Sequence, residues 1–170
     1  MEQRARVPFA LPAYERRSRS GHCFVCAIAA GEHDLPVHEV YRDGEHLAFL
    51  GGYPRLPVLR GYVILAPIAH KEEVLYDFTE AEYLRLHALA YRVGHASRMV
   101  VPTERLYLLS LGSKQGNVHV HWHLAPLPPG VPYDQQQFTA LMPERVGLLD
   151  ATDEEQAALA ASIVTALAAG

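Results

Sequence analysis

His119-Val120-His121-Trp122-His123-Leu124 alternates three imidazoles with three large apolar side chains. Along a β-strand successive side chains point to opposite faces, so this pattern puts His119, His121 and His123 on one face and Val120, Trp122 and Leu124 on the other. The apolar set can pack, while the histidines share a site. Alternate positions on a strand face lie roughly 6 to 7 Å apart. Three imidazoles at that spacing are costly if all are charged, and a core gains nothing from them. Two chemistries suit the row. Neutral imidazole is a zinc ligand; alternatively, a middle imidazole attacks phosphorus while a neighbour serves the departing group.

Outward from the row, the polar segment Gly112-Ser113-Lys114-Gln115-Gly116-Asn117 joins two predicted strands, Leu106 to Leu111 and Val118 to Leu127. Thr79 with Glu82 is a capping box and Phe78 with Tyr83 a hydrophobic staple, so a long helix starts there and continues through Leu84, His87, Ala88 and Tyr91. Before it, Tyr62 to Ala66 is an apolar run of strand length ended by Pro67, preceded by a loop punctuated by Pro54, Pro57 and Gly61. Val37 to Arg42 and Leu47 to Leu50 form a hairpin about Asp43-Gly44. Thr152 with Glu155, followed by Leu159, Ile163 and Leu167, marks a C-terminal helix. This order predicts an α+β fold: an antiparallel sheet of about five strands with a long helix and a C-terminal helix.

At 170 residues with 49% apolar and 20% charged side chains, the chain has the size of one soluble domain. A formal charge of −4 gives no global attraction to nucleic acid or to an anionic membrane, so a polyanionic ligand needs a local site and no stable nucleic-acid binding is expected. Arg4, Arg6, Arg16, Arg17 and Arg19 make residues 1–20 a basic arm, predicted to be extended, and 21–170 the folded domain. No stretch has the apolar length of a membrane helix and no apolar run follows the N-terminal arginines, which predicts a cytoplasmic protein. Cys23 and Cys26, two residues apart, point to metal binding or redox work rather than to a structural disulfide; zinc is favoured, since the thioredoxin-like βαβ pattern is missing nearby.

Taken together these pieces resemble the histidine triad superfamily of nucleotidyl hydrolases, dinucleoside polyphosphate hydrolases and phosphorylases, and hexose-1-phosphate uridylyltransferases. The resemblance rests on the triad itself and on Cys23-Phe24-Val25-Cys26, Gly31-Glu32, Leu47-Ala48-Phe49-Leu50 and Gly61-Tyr62-Val63-Ile64-Leu65-Ala66-Pro67 ending at His70, in the family's order over about residues 21–127. It implies a nucleotide phosphohydrolase of the dinucleoside polyphosphate or nucleoside phosphoramidate class. His121 would attack the α-phosphorus to give a nucleotidyl-histidine intermediate, His123 would contact the phosphates and serve the leaving group, and a carbonyl near His119 would fix the nucleophile's tautomer. It also implies a homodimer and a structural zinc on Cys23, Cys26, His70 and His119, with His38, His33 and His22 as fallback ligands. A nucleotidyltransferase or phosphorylase, a zinc-stabilised binding module with little turnover, and a catalytic zinc on all three triad histidines are the alternatives. Ser113, Gln115 and Asn117 are candidate phosphate contacts, helped by backbone N–H groups at Gly112 and Gly116; a plain hairpin turn explains the same residues.

The chain departs from the commoner family pattern before the triad, where the connection is shortened. It departs again at Gly51 and Gly52, where an asparagine is usual, and at Gly61-Tyr62, where the usual pair is glycine-histidine. The nucleophile position is intact.

Overall fold

Asp43 closes the first hairpin with its own side chain, accepting the backbone N–H groups of Glu45 at 2.8 Å and His46 at 2.6 Å, the short-range bonding that makes Asp a turn residue. A computed structural model of the chain describes residues 5–33, 36–51 and 56–170, so the expectations placed on Arg4, Gly52 and Pro54 lie outside the described residues. The hairpin strands are β2 (Glu39–Arg42) and β3 (His46–Leu50); an earlier two-residue strand, β1 (Arg6–Val7), precedes two helices, α1 (Leu11–Ser18) and α2 (Phe24–Ala30). Then come β4 (Val63–Pro67), the long helix α3 (Glu80–Val100), β5 (Arg105–Ser110) and β6 (Trp122–Leu127). A short helix α4 (Pro143–Val146), β7 (Leu148–Leu149) and α5 (Asp153–Ala169) complete the chain.

The expected α+β architecture is present: one antiparallel sheet of five strands, in the order β2-β3-β4-β6-β5. Its two faces do different work. Ala48, Leu50, Val63, Leu65, Trp122 and Leu124 pack against α3 and α5 through Leu86, Leu89, Val93, Leu159 and Ile163, forming the main core. On the opposite face Leu47, Phe49 and Ile64 pack against Ile28 of α2. His123 pairs with Ile64 of β4 and Leu109 of β5, between the core residues Trp122 and Leu124, so strand alternation sends it to the α2 side. Both capping boxes form, at Thr79/Glu82 and Thr152/Glu155, and the Phe78 and Tyr83 rings meet edge to face at 6.3 Å. The buried face of α3 is Leu86, Leu89, Ala90, Val93, Gly94, Ala96 and Ser97. Leu84 and Tyr91 lie on its outer face, 58% and 68% exposed, with Met99 further along.

Two expectations change. The last central strand starts at Trp122 rather than at Val118: residues 118–121 run outside the ladder, where Val120 gives its N–H to the Lys71 carbonyl at 2.7 Å. The alternation nonetheless persists, since Val120, Trp122 and Leu124 all join the main core. Within the basic arm, residues 11–18 are helical rather than extended. Pro12 sits in the first turn, where its missing N–H costs no helix bond. Arg6–Val7 pairs with Leu148–Leu149, which holds the arm on the domain.

Candidate active site

Cys23 caps α2: its Sγ accepts the Cys26 N–H at 3.4 Å, and the first turn of the helix brings Cys26 to the same side. His70 lies just after β4, and His119 just before β6, so the antiparallel pairing of those strands brings the two histidines together with ring centroids 4.7 Å apart. His119 Nδ1 stands 3.3 Å from Cys23 Sγ and 3.5 Å from Cys26 Sγ; His70 Nδ1 stands 3.3 Å from Cys26 Sγ. All four donor atoms fall within 4.8 Å of one another. Around a tetrahedral zinc, N and S ligands at ordinary bond lengths are separated by about 3.3 to 3.8 Å, so this donor set fits a metal ion. The nitrogens facing away are held too. His119 Nε2 donates to the Pro67 carbonyl at 3.0 Å and His70 Nε2 lies 3.4 Å from Glu72 Oε1, the outer partners that aim metal-binding imidazoles. Burial lowers the His119 imidazole to about 4, keeping it neutral, while burial and the neighbouring Cys23 push the Cys26 thiol up to about 11. A bound cation is what would convert that thiol to a ligating thiolate.

The other two triad members face a different environment. His121, 4% exposed, donates Nδ1–H to the carbonyl of His119 at 2.7 Å, which leaves Nε2 as the lone-pair nitrogen. Burial also lowers its imidazole below the ordinary value, which favours the unprotonated form. Ser110 Oγ donates to the His121 carbonyl at 2.7 Å and fixes the backbone from the β5 side. The Phe24 ring meets the His121 ring edge-on at 5.3 Å, so a residue between the two cysteines reaches the middle histidine of the row.

His123 lies beside His121 with ring centroids 4.7 Å apart. Its Nδ1 is 2.9 Å from the Tyr62 hydroxyl, and its Nε2 is buried with no hydrogen-bond partner among the described residues. Burial, with His121 adding to it, lowers this imidazole to about 3, so it is neutral at physiological pH. Burial raises the Tyr62 phenol, with Tyr14 contributing, so that its hydroxyl keeps its proton.

The loop before the triad splits its candidates. Ser113 and Gln115 are exposed, and Ser113 serves the turn: its hydroxyl accepts the Gln115 N–H at 3.1 Å and its backbone bridges to Gly116, which occupies the Gly116 N–H. Asn117, at φ 53°, donates through Nδ2 to the Tyr14 hydroxyl at 2.7 Å, and a side chain at Gly116 would come within 2.9 Å of the Ser18 carbonyl. Thus α1 lies on this loop. Of the fallback ligands, His38 is engaged with Asp153 at 2.9 Å instead. Sequence reasoning passed over Phe24 and Tyr14. Phe24 was readable only as an aromatic between two cysteines, and Tyr14 sits in a segment without period.

Neither a family model nor a curated protein matches the sequence. Solved structures do resemble it. A hypothetical histidine triad nucleotide-binding protein from Sulfolobus tokodaii, 24% identical, aligns over 86% of this chain and 93% of its own with a TM-score of 0.67. A zinc-bound histidine triad family protein from Mycobacterium smegmatis, 22% identical, covers 88% and 96% with a TM-score of 0.64, and a HIT family member from Bacillus subtilis, 23% identical, covers 85% and 96% at 0.54. This chain therefore has the histidine triad fold, and its cluster of Cys23, Cys26, His70 and His119 fits the zinc-binding branch of that fold.

Proposed function

We propose that this protein is a nucleotide phosphohydrolase acting on dinucleoside polyphosphates or nucleoside phosphoramidates through a nucleotidyl-histidine on His121. The observation that carries the reading is the 2.7 Å bond from His121 Nδ1 to the His119 carbonyl, which leaves an unprotonated Nε2 held in aim beside His123. In the first half of the reaction His121 Nε2 bonds to the α-phosphorus. The bond from phosphorus to the leaving atom breaks and its electron pair departs with the leaving group, as a phosphate anion from a polyphosphate or as a neutral amine from a phosphoramidate whose nitrogen has taken a proton from solvent. The His123 Nε2–H donates a hydrogen bond to the oxygens that gain charge. Water then attacks the same phosphorus, the bond from phosphorus to His121 Nε2 breaks with its electron pair returning to the imidazole, and the water's proton passes to solvent; phosphate or another acceptor in place of water would make the same site a phosphorylase or nucleotidyltransferase. Asn117, with Ser113 and Gln115 at the rim, would line the phosphate approach.

Zinc on Cys23, Cys26, His70 and His119 would fill four positions with protein ligands and leave none open, so its contribution would be structural: it ties α2, the end of β4 and the triad segment together. The arrangement favours this over a metal shared by all three triad histidines, because His119 Nδ1 faces the thiols while His121 Nδ1 is spent on a carbonyl. A homodimer is part of the proposal. It is supported by the open edge of β5, which carries the exposed Leu108.

The test is turnover of diadenosine polyphosphates, adenosine phosphoramidate and nucleoside diphosphate sugars by the wild type and His121→Ala, together with trapping of a covalent nucleotide on His123→Ala. Loss of turnover in His121→Ala and a phosphorus–nitrogen adduct in His123→Ala are expected. Equal activity of His121→Ala and the wild type would overturn the reading.

A further inference from the structure

Two places where the sequence leaves the commoner triad pattern, Gly51 and Tyr62, touch each other. A Cβ built on Gly51 would lie 2.3 Å from Cδ1 and 3.1 Å from Cε1 of Tyr62, so the ring occupies the space that any side chain at 51 would need. The Gly51 N–H also donates to the Tyr62 carbonyl, which fixes the two backbones together. Across the sheet the Tyr62 hydroxyl reaches His123 Nδ1 at 2.9 Å, with the rings edge to face at 5.7 Å. The two departures are thus one exchange: the bare glycine makes room for a phenol that touches the last triad histidine.

We infer that Tyr62, seated over Gly51, is a positioning residue that donates its hydroxyl proton to a hydrogen bond at His123 Nδ1 and so keeps the His123 proton on Nε2, aimed at the phosphate oxygens. Neutral imidazole has one donor and one acceptor nitrogen, and whichever nitrogen accepts from a partner leaves the other protonated. With Tyr62 donating to Nδ1, the buried Nε2 that has no partner among the described residues is an N–H. That is the polarity an approaching phosphate requires. The opposite tautomer would turn a lone pair toward anionic oxygen. Through the whole transfer His123 keeps its proton and gives a hydrogen bond only, so Tyr62 never becomes a phenolate.

This inference rests on the proposed role of His123, and its test separates the two. In zinc-loaded protein, nitrogen-15 spectra of the imidazoles, with His123 assigned by comparison with His123→Asn, report the tautomer without any turnover. The wild type is expected to show a protonated Nε2 and an accepting Nδ1, and Tyr62→Phe to lose that fixed pattern; a proton on Nδ1 in the wild type, or no change in Tyr62→Phe, would overturn the inference even if catalysis through His121 stands. In turnover, Tyr62→Phe should slow nucleotides with a poor leaving group by about 10- to 100-fold while slowing the p-nitrophenyl ester of AMP much less, since a good leaving group needs little help. Tyr62→His, which restores a ring donor, should recover part of the loss, and Gly51→Ala, which displaces the ring, should reproduce it. Equal slowing of all substrates by Tyr62→Phe, with His121→Ala inactive, would sink the positioning role and leave the proposed reaction intact.

Discussion

His119 and His123 belong to one short segment and have opposite surroundings. His119 is 1% exposed and engaged on both sides, with Nδ1 toward two thiols and Nε2 on the Pro67 carbonyl. His123 has one nitrogen on Tyr62 and the other buried without a partner among the described residues. A buried polar group left unpaired costs about 1–3 kcal/mol, which a ligand group meeting that nitrogen would offset. The difference divides the row into a half whose nitrogens are engaged and a half that keeps a buried nitrogen without a partner among the described residues; under the proposed reaction the first would hold and the second react, with His121 at the junction because its own partner is the carbonyl of His119.

The strongest way to break this division is a pair of substitutions two positions apart. His121→Ala should lower kcat/KM by about a thousandfold or more while leaving bound zinc and thermal stability near those of the wild type. His119→Ala should do the reverse first: lose stoichiometric zinc, measured by metal analysis of the purified protein, and lower the melting temperature by about 10 °C or more, on the scale of several kcal/mol for a chain of this size. Activity then falls as a consequence, because α2 carries Phe24 against the His121 ring. Chelation of the wild type should mimic His119→Ala. If His119→Ala kept its zinc and its melting temperature, the holding half would not exist as described.

Why the division was only partly legible in the sequence follows from the range of the interactions. The hairpin at Asp43 and both capping boxes were readable because each is closed by residues within three positions of one another. The face assignment in the triad was readable from alternation alone, and it survives even though residues 118–121 leave the ladder, since it depends on extended backbone and not on pairing. What ended the ladder was the Lys71 carbonyl, far away in the chain, and no local pattern announces it. On α3, Leu84 and Tyr91 recur at helical spacing on the outer face while Leu86, Leu89 and Val93 do so on the inner one, so periodicity by itself could not choose between them. Tyr62 was visible as a departure, but its meaning needed Gly51 beside it and His123 across the sheet.

A smaller effect sharpens the reactive half. Tyr14 on α1 bonds Asn117 at 2.7 Å and lies close enough to Tyr62 to raise its phenol, so the N-terminal helix is part of the loop's support. Tyr14→Phe removes one hydrogen bond of about 1 kcal/mol and should raise KM about threefold to tenfold with kcat and zinc content little changed. A fall in kcat with constant KM would place Tyr14 in the chemistry instead.

The least effect comes from a histidine that belongs to neither half. His46 is 6% exposed, and its Nδ1 lies 3.4 Å from Asp43 Oδ2; it is the ordinary case of a buried imidazole satisfied by a neighbouring carboxylate. Burial works against the Asp43 charge, but the N–H groups of Glu45 and His46 and the Tyr41 hydroxyl outweigh it and lower the carboxyl from its ordinary 3.8 to about 2. A carboxyl whose value is lower in the folded state stabilises the fold above its unfolded value and loses that contribution as pH falls from about 4 through about 2. Because the side chain is 38% exposed, solvent screening holds the contribution to about 1 kcal/mol. Asp43→Asn should therefore lower the melting temperature by about 2–4 °C at pH 7, with the gap from the wild type closing as the pH is taken toward 2, and with turnover and zinc content at pH 7 unchanged. A loss of zinc or of turnover in Asp43→Asn would mean that the hairpin is coupled to the site, and that the contrast between His119 and His123 is not confined to the triad and its immediate partners.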